Sequence, residues 1–270
     1  MGTFRRHTLL ALVAIAALAG PFATLGPAQS EARGRPVFEV ASIKPYKDAG
    51  VGPRNSHSTY GPQGVDFGGR SLAFIIAEAY HIPAGRIVGP GSLTKQALWG
   101  PLTQGYDIVA KADHAVPKEQ LRRMLQALLA DRFQLKVHWE TKTGPVYTLV
   151  IAKNGPKMEE SQAGGDLVMS RGSDGFVFRN AEIFRLTGYL SSYADRVVVD
   201  GTGLKGLYNF TVKLPEDVQN PPAKSEGPSP DSPTASRFAE ALKPLGLQLN
   251  WGSAPVDYLV VDHVQPPSAN

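Results

Sequence analysis

Apolar and polar residues alternate with two different periods along this chain, and each change of period marks an element. Leu72, Ile75, Ile76 and Ala79 recur at helical spacing behind Ser71. That spacing predicts a helix over 72–81, capped by the Ser71 hydroxyl and stopped by Ile82-Pro83. Leu121, Met124, Leu125, Leu128 and Leu129 form a second helical stripe, which begins near Pro117 and Glu119. Two further helices are expected at 181–194 and 234–245, the last weakened by Pro244. Period-two segments predict strands at 37–43, 65–69, 106–110, 176–178, 196–200 and 207–214. Residues 133–140 and 146–153 read as a hairpin turning at Gly144-Pro145, and 247–251 with 256–264 as a closing hairpin. Between these, 46–64 and 84–104 are Gly- and Pro-bearing loops, with a short strand at 86–88, while 154–174 and 215–233 read as polar linkers.

The run Gly144–Pro156 returns at Ala254–Pro266: Pro145/Pro255, Val146/Val256, Leu149/Leu259, Val150/Val260 and Pro156/Pro266 are each 110 residues apart. Tyr106-Asp107-Ile108 likewise matches Tyr208-Asn209-Phe210. The expected fold class is therefore α+β, in two tandem related halves. Each half has an antiparallel or mixed sheet packed by two helices, in ferredoxin-like or βαββ-type units. The expected boundaries are a signal peptide at 1–30, a first half at 37–158, a linker at 159–174, and a second half at 175–267 carrying the Pro-rich insert 215–233.

The segments Phe38–Pro45 (FEVASIKP), Tyr106–Lys111, Leu128–Val137, Val146–Lys157, Val198–Tyr208 and Val260–Pro267 resemble the DUF3738 family of exported bacterial proteins. The resemblance spans nearly all of 37–270. It implies no assigned activity. Some members form the outer part of membrane-sensor peptidases, which implies sensing or protein contact. The passage 181–213 is similar in style to the short N-terminal modules of secretins and TonB-dependent receptors. One departure is Gly100–Gly105, which lacks a charged lead-in before the Tyr-Asp-Ile strand.

Composition narrows the setting. Arg5 and Arg6 precede the apolar run Thr8–Gly20, which Gly20-Pro21 ends short of the roughly 20 residues a spanning helix needs. An export signal is expected, cleaved after Ser30 or Ala28, with an uncleaved anchor as the alternative. Its removal lowers Lys+Arg from 28 to 26 against 24 Asp+Glu, so the net charge of +4 becomes +2. No basic stripe remains for nucleic acid. The chain has no Cys, which excludes disulfides, lipid attachment at a cysteine and thiol chemistry. An extracytoplasmic bacterial location, periplasmic or secreted, follows as an expectation.

No candidate chemistry assembles from spacing alone. His57, His81, His114, His138 and His263 include no pair three or four residues apart, so no local zinc site forms. Ser71, Ser191 and Ser192 lack a Gly-x-Ser-x-Gly elbow. Glu159-Glu160 and Glu216-Asp217 fall in or beside linkers, where carboxylates are solvated. Gly201-Thr202-Gly203-Leu204-Lys205-Gly206 runs into a strand, whereas a phosphate cradle opens a helix. Tyr106, Tyr147, Tyr208, Tyr258 and Trp139 lie on strands, as core or as an aromatic platform. Accordingly no catalytic, cofactor or metal residue is assigned. The sequence points to a non-enzymatic interaction or sensory module whose partner is an envelope protein, met by strand addition at a sheet edge. The alternative is a small-ligand binder or hydrolase, with a cleft between the halves lined by Arg54, His57 and Arg86.

Overall fold

A computed structural model describes residues 35–46, 57–89, 102–161, 167–215 and 233–267. The expected signal segment, Arg54 and the Glu216-Asp217 pair lie outside the described residues. Within them the chain forms four α-helices and twelve strands in three sheets, an α+β fold. No helix among the described residues is long and apolar enough to cross a membrane.

The first sheet contains β1 (Val40–Pro45), β2 (His57–Gly61), β3 (Gly64–Ser71) and β5 (Gly105–Lys111), in the antiparallel order β1-β5-β3-β2. It is covered by α1 (Leu72–Tyr80) and α2 (Lys118–Arg132). Ser71 caps α1 as its sequence implies, its Oγ accepting from the Phe74 N–H at 3.3 Å. Another sheet contains β7 (Glu159–Glu160), β8 (Val168–Gly172), β9 (Gly175–Ala181) and β11 (Tyr208–Val212), in the order β7-β11-β9-β8. It packs on α3 (Ile183–Tyr193) and α4 (Pro233–Leu242). Two strands thus occupy the stretch 159–174, which reads as a linker in sequence. β7 and β8 are both sheet edges, and edge strands face water and keep polar residues.

These two sheets share one strand order and also one irregularity. In the first, the register shifts between Phe67, opposite Ile108, and Arg70, opposite Tyr106. In the other it shifts between Phe178, opposite Phe210, and Ala181, opposite Tyr208. Gly69 and Asn180 sit in these bulges at φ 58° and 51°, the left-handed region that Gly and Asn tolerate best. Each donates its N–H to a side-chain oxygen of the neighbouring strand, Gly69 to Asp107 at 2.8 Å and Asn180 to Asn209 at 3.0 Å.

The two hairpins expected at 133–153 and 247–264 do not form. Instead β6 (Lys136–Ile151) and β12 (Leu247–His263) run straight through as strands of 16 and 17 residues. They pair with each other along their whole length, from Leu247 opposite Ile151 to His263 opposite Lys136. Gly144 lies opposite Ala254, so a two-fold axis through that pair carries each β6 residue onto the β12 residue 110 further on. Pro145 does not break the ladder. Tyr147, which has its parity, turns its N–H away from β12 toward Val197 O, so the amide that Pro145 lacks would have faced the open flank.

This ribbon joins the two cores. Leu149 and Tyr147 are buried with α3 and α4, whereas Leu259 and Val261 are buried with α1 and α2. Two short parallel strands complete the central sheet: β10 (Val198–Asp200) beside β6, and β4 (Ile87–Val88) beside β12. On the ribbon face that enters the cores at both ends, the middle residues, including Trp139, Trp251, Pro255 and Asp257, stay exposed. That exposed middle is the floor on which a site can be built.

Candidate functional site

A cleft of about 390 Å³ opens over this floor where the two helical layers meet. Its walls come from both parts of the fold: the turn after α1 (His81–Pro83), the 3-10 turn Ala84–Arg86, the start of α3 (Phe184, Thr187) and the end of β10 (Val199, Asp200). Trp139, Pro255 and Asp257 rise from the ribbon. Size and mixed polarity suit a small-molecule site.

Local backbone rules place these groups. His81 ends α1 in the left-handed region at φ 52°, with its N–H on Ala77 O, which turns the imidazole toward α3. There the ring lies 4.5 Å from that of Phe184. Burial, and then the nearby Arg122 guanidinium, hold the His81 pKa below its ordinary value, so the imidazole is neutral near pH 7. Trp139 meets Tyr80 edge to face at 6.4 Å, while 53% of the residue remains exposed. Arg86 is half-buried, and its Nε is buried with no hydrogen-bond partner. An unsatisfied buried donor of this kind costs about 1–3 kcal/mol. Burial lowers the Arg86 pKa, and Tyr258 and Asp257 oppose that shift. The carboxylates of the cleft are better served. Asp257 accepts from the Thr141 hydroxyl at 2.6 Å, and Asp200 from the Thr202 N–H and hydroxyl at 2.8 and 2.7 Å.

Behind the cleft lies a cluster of charges drawn from both cores. Arg185 of α3 forms an ion pair with Glu78 of α1, with side chains only 6% and 1% exposed. The Glu78 Oε1 in that contact is not aligned to accept a hydrogen bond, so the attraction is ionic. Glu182 gathers Arg122 at 3.4 Å, Lys118 at 3.7 Å and His81 at 3.9 Å. Arg122 also holds Glu119 at 3.2 Å. Arg185 further lies over the Phe184 ring at 4.2 Å, and Arg70 over Phe74 at 4.5 Å. Burial, and then the Glu78 charge, push the Tyr60 phenol above its ordinary range. Such a cluster is the arrangement expected of a reactive centre, but the Glu78–Arg185 pair is closed to solvent and substrate. Its evident effect is to clasp α1 to α3.

The candidates read from sequence scatter. Of the three residues proposed to line an inter-half cleft, Arg86 does so. His57 is on β2, bonded to Asp66 at 2.8 Å, away from the cleft, and Arg54 lies outside the described residues. His138 pairs with Asp262 at 2.9 Å and His114 contacts Asp113, all on the surface. Among the described residues no group of three or more His, Cys, Asp or Glu is placed to hold a metal ion. Ser191 Oγ donates to Thr187 O and accepts from the Val198 N–H, while Ser192 donates to Tyr189 O. Glu159 and Glu160 form the exposed edge strand β7. Gly203 and Gly206 take φ 69° and 104° in the turn before β11, and no helix follows them. Tyr106, Tyr147 and Tyr208 are core residues, and among the strand aromatics Trp139 is the one presented to the cleft.

Sequence reasoning missed the ionic clasp. One signal was available: Glu78 is the only charge in the helix Leu72–Tyr80, and it follows directly on an apolar run. A lone charge there implies a buried partner. Nothing local identified that partner as Arg185.

Comparison with known proteins gives one match. The profile of the family described as "Protein of unknown function (DUF3738)" covers residues 73–264. No curated protein and no solved structure matches the chain.

Proposed function

Given that the chain belongs to the DUF3738 family of proteins of unknown function, we propose that it is a non-enzymatic sensory module, exported to the bacterial cell envelope, that recognises a small ligand in the junction cleft. The observation that carries this reading is the contrast between two neighbouring sites. The ionisable cluster is neutralised internally and sealed, whereas the cleft beside it presents an exposed Trp139 and an Arg86 with an unsatisfied donor. A ligand touching walls from both cores would bias their relative position, which is how occupancy becomes a signal. The export signal expected at 1–30 supports the envelope location.

The test is a thermal-shift screen of the chain from residue 31 onward against amino acids, sugars, nucleosides and organic acids. At least one class should raise Tm, and Trp139→Ala should erase that shift. Absence of any shift across the panel, or turnover of the ligand that binds, defeats the reading. Cell fractionation checks the location, with a cytosolic protein as the adverse result.

A second reading, strand addition by an envelope protein, draws support from the outer edges of β1 and β8. Among the described residues these edges carry exposed Val40 and Val168 and pair on one side only. Its test is crosslinking in envelope fractions, with loss of a specific adduct on Val168→Pro.

A further inference from the structure

The runs Ala84-Gly85-Arg86-Ile87-Val88 and Ala194-Asp195-Arg196-Val197-Val198 are 110 residues apart and differ in polarity at one position only. Each leads into a short strand parallel to the central ribbon, β4 beside β12 and β10 beside β6. Each arginine has a tryptophan of the ribbon on its own side of the fold. The two arginines are nevertheless equipped differently. Arg196 receives a carboxylate from its neighbour: Asp195 Oδ2 accepts from its Nη2 at 2.5 Å and its Nε at 3.2 Å. Its guanidinium also lies 3.9 Å from the centre of the Trp251 ring, and its side chain is only 3% exposed. Arg86 has Gly85 where Arg196 has Asp195. A Cβ built on Gly85 would meet nothing within 4 Å, so the place of the missing carboxylate is open space. Arg86 Nε is correspondingly buried without a partner, and Trp139 keeps an exposed face.

Resting on the reading of the cleft as a ligand site, we infer that Arg86 binds the carboxylate of a small zwitterionic ligand of the amino-acid type. The ligand carboxylate takes the place that Asp195 fills in the other half. A guanidinium fork suits a carboxylate by geometry as well as charge. The rest of the cleft selects against simple anions, because Asp200 and Asp257 also line it and would repel a second negative charge. An ammonium group next to the ligand carboxylate turns that repulsion into attraction. Trp139 offers its face to an apolar or aromatic ligand side chain.

The experiment uses isothermal titration of the chain from residue 31 onward with L-phenylalanine, L-phenylalaninamide, N-acetyl-L-phenylalanine and the dipeptide Phe-Phe. L-Phenylalanine should bind, and the amide and the acetylated acid should each bind at least tenfold more weakly. The dipeptide arm distinguishes a free amino acid from a peptide. Gly85→Asp supplies the absent carboxylate internally, so it should abolish binding while raising Tm, which separates it from a damaged fold. Arg86→Met should abolish binding as well. The inference is overturned if the amide binds as well as the acid, or if Gly85→Asp leaves binding unchanged. If none of these compounds binds while another class shifts Tm in a Trp139-dependent way, this inference falls and the cleft reading stands. If nothing binds, both fall.

Discussion

The clasp between α1 and α3 makes a quantitative prediction about Arg185. Arg185→Met removes the cation and keeps most of the side-chain volume, which leaves the Glu78 carboxylate 1% exposed and without its ion-pair partner. Breaking a buried pair from one side typically costs about 3–5 kcal/mol. Two features of the cluster place this case near the lower end, at about 3 kcal/mol. Arg70 still acts electrostatically on Glu78, so the carboxylate is not wholly uncompensated. Arg185 also lowers the pKa of Arg70, His81 and Lys118, so its removal relieves some like-charge repulsion. In urea, with m of about 3 kcal/mol per M, the midpoint should fall by about 1 M at unchanged m. The double variant Glu78→Leu/Arg185→Met should recover most of that loss, because apolar groups of similar volume replace a buried pair at little or no cost. A single variant within about 0.5 kcal/mol of the parent, the usual range of surface substitutions, would show that the pair is solvated. A double variant no more stable than the single would show that the loss does not arise from a stranded carboxylate.

Other perturbations test separate parts of the structure. The His81 pKa is lowered in the folded chain, so the unfolded state takes up the proton first as pH falls below about 6.5. Stability should therefore decline from that pH down to the folded pKa, and His81→Asn, which tolerates the left-handed backbone, should flatten the decline in pH-dependent urea melts; an unchanged slope refutes it. Gly64→Ala would bring a Cβ to 2.2 Å from Ala110 O, and Gly175→Ala to 2.5 Å from Val212 O at φ 137°. Both should destabilise by at least about 2 kcal/mol in urea melts, since neighbouring backbone cannot move aside as a side chain does. Ser71→Ala should cost about 1 kcal/mol as a lost helix cap. Ser191→Ala should cost about 1–3 kcal/mol, because it strands the Val198 N–H now bonded at 2.8 Å.

The chain's own periodicities carried a good deal of this architecture. The four helices, the Ser71 cap, the α+β class and most strands were legible, since each depends on apolar spacing and turn residues within about fifteen positions of one another. The offset of 110 residues was legible as well, although its meaning was not. Gly144-Pro145 and the matching Ala254-Pro255 read as hairpin turns, because in isolation such residues favour reversal. Tertiary structure reversed that reading. Each segment finds a better partner in the other, more than a hundred residues away, where sixteen consecutive positions can pair without interruption and both ends enter hydrophobic cores. The same long-range pairing sets Arg86 and Trp139 at one cleft and draws Glu78 to Arg185. Helices and caps are decided by neighbours in sequence, whereas the ribbon, the clasp and the cleft are decided by which distant surfaces bury one another, and no local pattern encodes that choice.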